Sequence, residues 1–135
     1  MKINDPAVLA EVTKAFGRYE TALVGNDVAA LDGFFWQSED AVRFGAGENL
    51  FGIAAIQAFR RARPAAGLAR RLEVTTIVTF GENFAVASTL FRRDAAPGKI
   101  GRQMQTWARL PQGWVIVAAQ ISVIDAPRSL ASEAM

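Results

Sequence analysis

The chain contains no cysteine and no histidine. The first absence excludes disulfides, thiolate nucleophiles and thiolate metal sites. The second removes the commonest general base near neutrality and the commonest transition-metal ligand, so Ser-His-Asp, Cys-His and His-metal mechanisms are excluded too. Any chemistry falls to Tyr, Arg, Lys, Asp or Glu, or is mainly electrostatic. Tyrosine occurs once, at Tyr19. No apolar run reaches the ~18 residues that span a bilayer, so no membrane partner is expected. Asp5, Glu11 and Lys14 interrupt the N-terminus where a secretory leader would be apolar, and the expected address is the cytoplasm. Charge of one sign is not in excess either. The 15 Lys and Arg against 13 Asp and Glu leave a formal +2, too little to imply a nucleic-acid partner.

What is present is the composition of a folded domain: 135 residues, 51% hydrophobic and 21% charged. Residues 1–126 read as one domain and 127–135 as a loose tail. Asp5-Pro6 is a helix start, the aspartate capping free amides and the proline sitting where its missing N–H is harmless. Val8, Val12, Phe16, Tyr19 and Leu23 then draw one apolar stripe, with Gly25 as a left-handed C-cap. Asp27 caps a short second helix, and the aromatic run Phe34-Phe35-Trp36 must be largely buried. Ala41–Gly45 reads as a short strand followed by a turn loosened by Gly45, Gly47 and Gly52. Ile53 to Arg63 reads as a third helix, stopped by Pro64 and Gly67.

From Arg70 the hydrophobic period becomes two, in runs at 70–79, 83–93, 102–110 and 114–124 separated by short turns, which predicts an antiparallel meander. Helices first and long strands after them imply an α+β fold, with helices on one face of a strongly curved antiparallel sheet that closes a cone around a pocket. The outer face would carry Ile77, Val115, Val117, Ile121 and Val123, or the opposite parity. A face that apolar predicts a homodimer, sheet against sheet. The arginines at 60, 61, 63, 70 and 71 read most simply as cations at a helix end and along a solvated loop. The sharper reading is a funnel for small anions. No aromatics interleave with them as a single-strand nucleic-acid platform would require.

Several strings resemble the NTF2-like superfamily, and more narrowly the AtzH-like family of oxalurate-catabolism proteins. They are Tyr19-Glu20, Leu31-Asp32 with Phe35-Trp36, and Val42-Arg43-Phe44-Gly45 with Glu48 and Gly52. Phe59-Arg60 with Arg63 follows, then Gly101-Arg102-Gln103 with Gln105-Thr106-Trp107, and Gly113-Trp114 with Ala118-Ala119. The resemblance spans nearly the whole chain and implies breakdown of a carboxylated urea or ureido acid, by amide hydrolysis or decarboxylation, without metal or other cofactor. It implies Tyr19 and Arg43 as the active pair. The alternative is a non-catalytic module of the same fold that binds a small anion or mediates assembly. Gln120 stands where the family's last strand commonly has His, and Met104 where it commonly has Ser between two glutamines.

Residue chemistry bears on the same positions. Arg43 lies mid-strand between Val42 and Phe44, where a charge must be paired with Glu48 or Asp40, or must serve as a cavity-floor cation for a carboxylate. Tyr19 on the apolar stripe is either an amphipathic core residue or a phenol that donates into the pocket. Gln103, Gln105 and Trp107 share one strand face, which in the superfamily lines the cone, and Gln120 is expected to join them at its open end. Trp36 is expected in the core or stacked on a ligand. Gly45-Ala46-Gly47 is too short for a phosphate loop.

Overall fold

A computed structural model describes residues 1–127, so the expected tail lies, beyond Pro127, outside the described residues. Three helices precede or interrupt the sheet: α1 Pro6–Val24, α2 Val28–Phe34 and α3 Ile53–Ala62. The α1 start forms as its sequence requires, with the Asp5 carboxylate accepting from Ala7 N at 3.0 Å. Its buried stripe is Val8, Val12, Ala15, Phe16, Tyr19, Ala22 and Leu23. The α1 C-cap differs from expectation. Gly25 keeps a right-handed φ of −82°, and the residue with positive φ is Asn26 at 51°. Asp27 caps α2 through Ala30 N at 3.1 Å. No helix among the described residues is long and apolar enough to cross a membrane.

The strands are β1 Val42–Phe44, β2 Asn49–Phe51, β3 Arg71–Phe80, β4 Phe84–Arg92, β5 Lys99–Leu110 and β6 Gly113–Asp125. They form one sheet in the order β2-β1-β6-β5-β4-β3. The meander β3 to β6 is antiparallel as expected, but two features of the sheet were not foreseen. Residues 49–51 form β2, pairing back on β1, where a turn was expected. And β1 runs parallel to β6, with Arg43 beside Ala119, so the sheet is mixed. A parallel pair needs a long crossover, and α3 with the first three meander strands supplies it. Register shifts between Leu72 and Thr75 and between Thr106 and Trp107 bend the long strands, as bulges do.

The pairings sort the faces. Gln103 opposes Ile121 and Gln105 opposes Ala119 on the inner face, while Met104 opposes Gln120 on the outer one. Of the two parities left open by the sequence, Ile77 and Ile121 take the inward one: Ile77 packs on the core, and Ile121 lines an inner cavity. Against the inner face α1 lays Val12, Phe16 and Tyr19, which join Phe35, Ala85, Ala87, Trp107 and Ile116 in the core. Phe35 and Trp107 are wholly buried, each contributing about 2–3 kcal/mol. The helices plug the wide end of the curved sheet and leave space toward the α3 end.

Candidate functional site

That space is a cavity of about 270 Å³ between the end of α3, β1, the end of β4 and β6. Arg43, Arg63 and Arg93 line it together with apolar Phe59, Leu68, Ile121 and Val123. A larger groove of about 560 Å³ lies outside, against α1, α2 and the β5–β6 turn. There Glu11 accepts from Trp114 Nε1 at 3.3 Å and lies 3.6 Å from Arg109, while Lys14 and Arg18 are exposed to solvent. The inner cavity is the one with unspent donors.

Arg43 reaches the cavity because its place on β1, beside Ala119, faces inward. Its Nη1 donates to Glu48 Oε1 at 2.9 Å, one of the two partners the sequence left open. Glu48 is held in turn by Gly47 N at 3.2 Å, and its carboxylate occupies the place of a side chain at Gly45, where a Cβ would come within 1.7 Å of Oε1. Cation–π contact with Phe59, at 5.5 Å, completes the Arg43 surroundings.

Behind the cavity lies a second layer. Arg70, its side chain fully buried, makes a two-pronged contact with Glu20 at 2.7 and 2.6 Å and donates to Gln103 Oε1 at 3.0 Å. Arg70 and Arg93 both place their guanidinium carbons near the Phe91 ring, at 4.4 and 4.7 Å from its centroid. Gly101 makes this possible, since a Cβ there would stand 2.0 Å from Phe91 Cζ. Side-chain donors are left over: Arg63 Nε and Nη2, Arg70 Nη1, Arg93 Nε and Gln103 Nε2 are buried and meet no acceptor among the described residues. Burial, followed by the nearby Arg43 cation, holds Arg63 below its ordinary pKa, and burial followed by Arg70 does the same to Arg93.

Tyr19 is buried, edge-on to Phe34 at 6.0 Å and to Trp107 at 6.4 Å, and tilted against Phe35. It does not line the cavity wall. Gln103, Gln105 and Trp107 do share the inner face and are buried. Gln105 Oε1 accepts from Trp107 Nε1 at 3.1 Å, which leaves Gln103 as the member turned toward the arginines. Trp36 is half-buried and packs on the core rather than on the cavity. Gln120 does not join the inner residues. It is exposed on the outer face with Met104 and Phe44, because strand parity sets residue 120 opposite to 119 and 121. Glutamine in place of histidine there changes the outer face and leaves the cavity untouched.

The arginine cluster also divides. Arg61 and Arg71 are exposed, as solvated cations should be. Arg60 is buried instead, paired with Asp32 at 2.8 Å over the Phe35 ring, Arg70 is buried on Glu20, and Arg63 opens on the cavity. Arg93 was missed from sequence. Its signal was parity, since it continues the inward series of Thr89 and Phe91. Among the described residues no group of three Asp or Glu side chains is placed to hold a metal.

No curated protein matches the chain by sequence. Among solved structures, a protein of unknown function from Pectobacterium atrosepticum is 59% identical, with 91% of this chain and 95% of that one covered and a TM-score of 0.89. A cystatin-like fold protein from Burkholderia xenovorans is 46% identical over 94% of this chain and 99% of that one, with a TM-score of 0.90. An NTF2-like protein with a cystatin-like fold from Novosphingobium aromaticivorans, 22% identical over 95% and 88%, shares the fold at a TM-score of 0.68. The NTF2-like structures share the fold, and the sequence model of the AtzH-like family matches residues 1–127: the chain belongs to the AtzH-like family.

Proposed function

We propose that the inner cavity binds a small carboxylated urea or ureido acid and breaks it down by decarboxylation. The observation that carries this reading is a cavity of about 270 Å³ lined by three arginines, two of which, Arg63 and Arg93, have buried guanidinium N–H groups with no acceptor among the described residues. Carboxylate is the group such forks fit best. Decarboxylation is favoured over hydrolysis because hydrolysis needs a base to activate water. The nearest carboxylates, Glu20 and Glu48, are both engaged by arginines at 2.6–2.9 Å.

In the proposed step the C–N bond of an N-carboxylate breaks, carbon dioxide leaves, and the nitrogen takes a proton from a bridging water that the Tyr19 hydroxyl, behind the cavity wall, reprotonates; solvent then restores the phenol. Arg43, its charge already balanced by Glu48, donates to the urea carbonyl and keeps the leaving nitrogen's electrons delocalised. Phe59, Leu68 and Ile121 give the cavity an apolar wall beside the reacting bond.

The test follows carbon dioxide and ammonia release from a panel of carboxylated ureas. Carbon dioxide without stoichiometric ammonia is expected from the wild type, with a loss of ~100-fold or more in Tyr19→Phe at an unchanged melting temperature. Ammonia release at the carbon dioxide rate would establish hydrolysis instead. No turnover across the panel, with anions still binding, would make the protein a binding module.

A further inference from the structure

We propose that Arg63 and Arg93 together form the anion receptor of the cavity, a two-guanidinium clamp for one small oxyanion that is separate from the Arg43–Glu48 pair. The inference rests on the inner cavity being the ligand site and assigns its anchor to two residues from different elements. Arg63 is the C-cap residue of α3, and Arg93 follows the last residue of β4.

The argument is one of charge accounting. Arg43, Arg60 and Arg70 each hold a carboxylate, at 2.9, 2.8 and 2.6 Å. Arg63 and Arg93 have no ion pair among the described residues, although both line the same cavity and are half-buried. Their buried nitrogens, Arg63 Nε and Nη2 and Arg93 Nε, have no acceptor there either. A buried donor without an acceptor is costly, and two neighbouring cations without an anion cost more. Burial and surrounding cations lower the proton affinity of both groups, the direction an incoming anion would reverse. A folded protein tolerates such a cost where a ligand relieves it.

The way Arg93 is held supports the same role. Its guanidinium carbon lies over the Phe91 ring, 4.7 Å from the centroid. Such a contact takes up no N–H group with an acceptor, whereas a carboxylate partner would consume the fork. Phe91 is itself fixed, with Arg70 at 4.4 Å and Gly101 directly under the ring. The receptor is therefore preorganised by stacking rather than by a counter-ion. Carboxylate and phosphate share the oxygen geometry that fits it, and apart from the Arg43–Glu48 pair the rest of the wall is apolar.

The test is calorimetric titration of the full chain with malonate, and separately with inorganic phosphate, beside melting temperatures without ligand. The variants are Arg63→Met, Arg93→Met and the double substitution, which keep aliphatic volume and remove charge. Each single variant should lose malonate affinity at least 10-fold and the double variant all saturable binding, while the ligand-free melting temperatures stay level or rise. Phosphate bound and lost in the same variants, with malonate inert, would support the receptor and name phosphate as its oxyanion. Anion binding that survives in the double variant would overturn the proposal. So would ligand-free melting temperatures that fall in both single variants, or a wild type that binds neither anion at millimolar concentration. Because no turnover is measured, loss of catalysis on Tyr19 would leave this result standing.

Discussion

Arg70→Met should be among the most destabilising single substitutions in the molecule. The Arg70 side chain is fully buried and holds Glu20 by two bonds of 2.7 and 2.6 Å and Gln103 by one of 3.0 Å. Methionine fills part of the volume and the Phe91 contact but leaves the Glu20 carboxylate, only 16% exposed, facing no cation, and Gln103 Oε1 without a donor. Removing one partner of a buried pair costs about 3–5 kcal/mol, and the residual exposure of Glu20 points to the lower end. A loss of ~3 kcal/mol, with urea slopes of ~1–3 kcal/mol/M, lowers the unfolding midpoint by roughly 1–3 M. The assay is urea unfolding at fixed protein concentration. Arg71→Met is the control, because its pair with Asp94 is 62% and 97% exposed and should matter by less than ~1 kcal/mol. Glu20→Leu combined with Arg70→Met should recover much of the loss, since both charges are then gone. An Arg70→Met midpoint indistinguishable from that of Arg71→Met would refute the reasoning.

Gly101→Ala should destabilise by ~2 kcal/mol or more and weaken anion binding together, because its Cβ displaces the Phe91 ring that Arg93 stacks on; unfolding and titration on one sample check both. Light scattering at micromolar concentration should report a homodimer through the outer sheet face, and Met104→Glu, at a residue 58% exposed there, should shift it toward monomer. A wild-type monomer would remove that assembly. Asp5, its carboxyl held below the ordinary range by Lys2 and by the Ala7 amide, has a folded pKa below its unfolded one. Its contribution is therefore present above the unfolded value and lost as pH falls through the folded one, so Asp5→Ala should narrow its melting-temperature deficit in acid.

The element order was legible because it is local physics. The Asp5-Pro6 start, the four-and-three spacing from Val8 to Leu23 and the change to period two after Arg70 depend on neighbours a few residues apart. So did the pairing of Arg43 with Glu48, five positions on, and the common face of Gln103, Gln105 and Trp107, which follows from a period of two within one strand. Gln120 was misplaced for the matching reason. Its face depends on register with β5, where it stands opposite Met104 and not opposite Gln103 or Gln105, and strand composition does not record that register.

Whether a given arginine is buried, paired or left with unspent donors was decided by the tertiary structure alone. Arg70 meets Glu20 across 50 positions and Arg60 meets Asp32 across 28, so the charges of these two are engaged in buried ion pairs. Arg63 and Arg93, identical in chemistry, arrive on one cavity from the ends of α3 and β4 and form no ion pair among the described residues, the Glu48 carboxylate that lines it being held by Arg43. The sequence supplied the cations and the carboxylates. Chain topology decided which of them meet, because an ion pair needs contact within about 4 Å and contacts of that range are set by packing, not by distance along the chain.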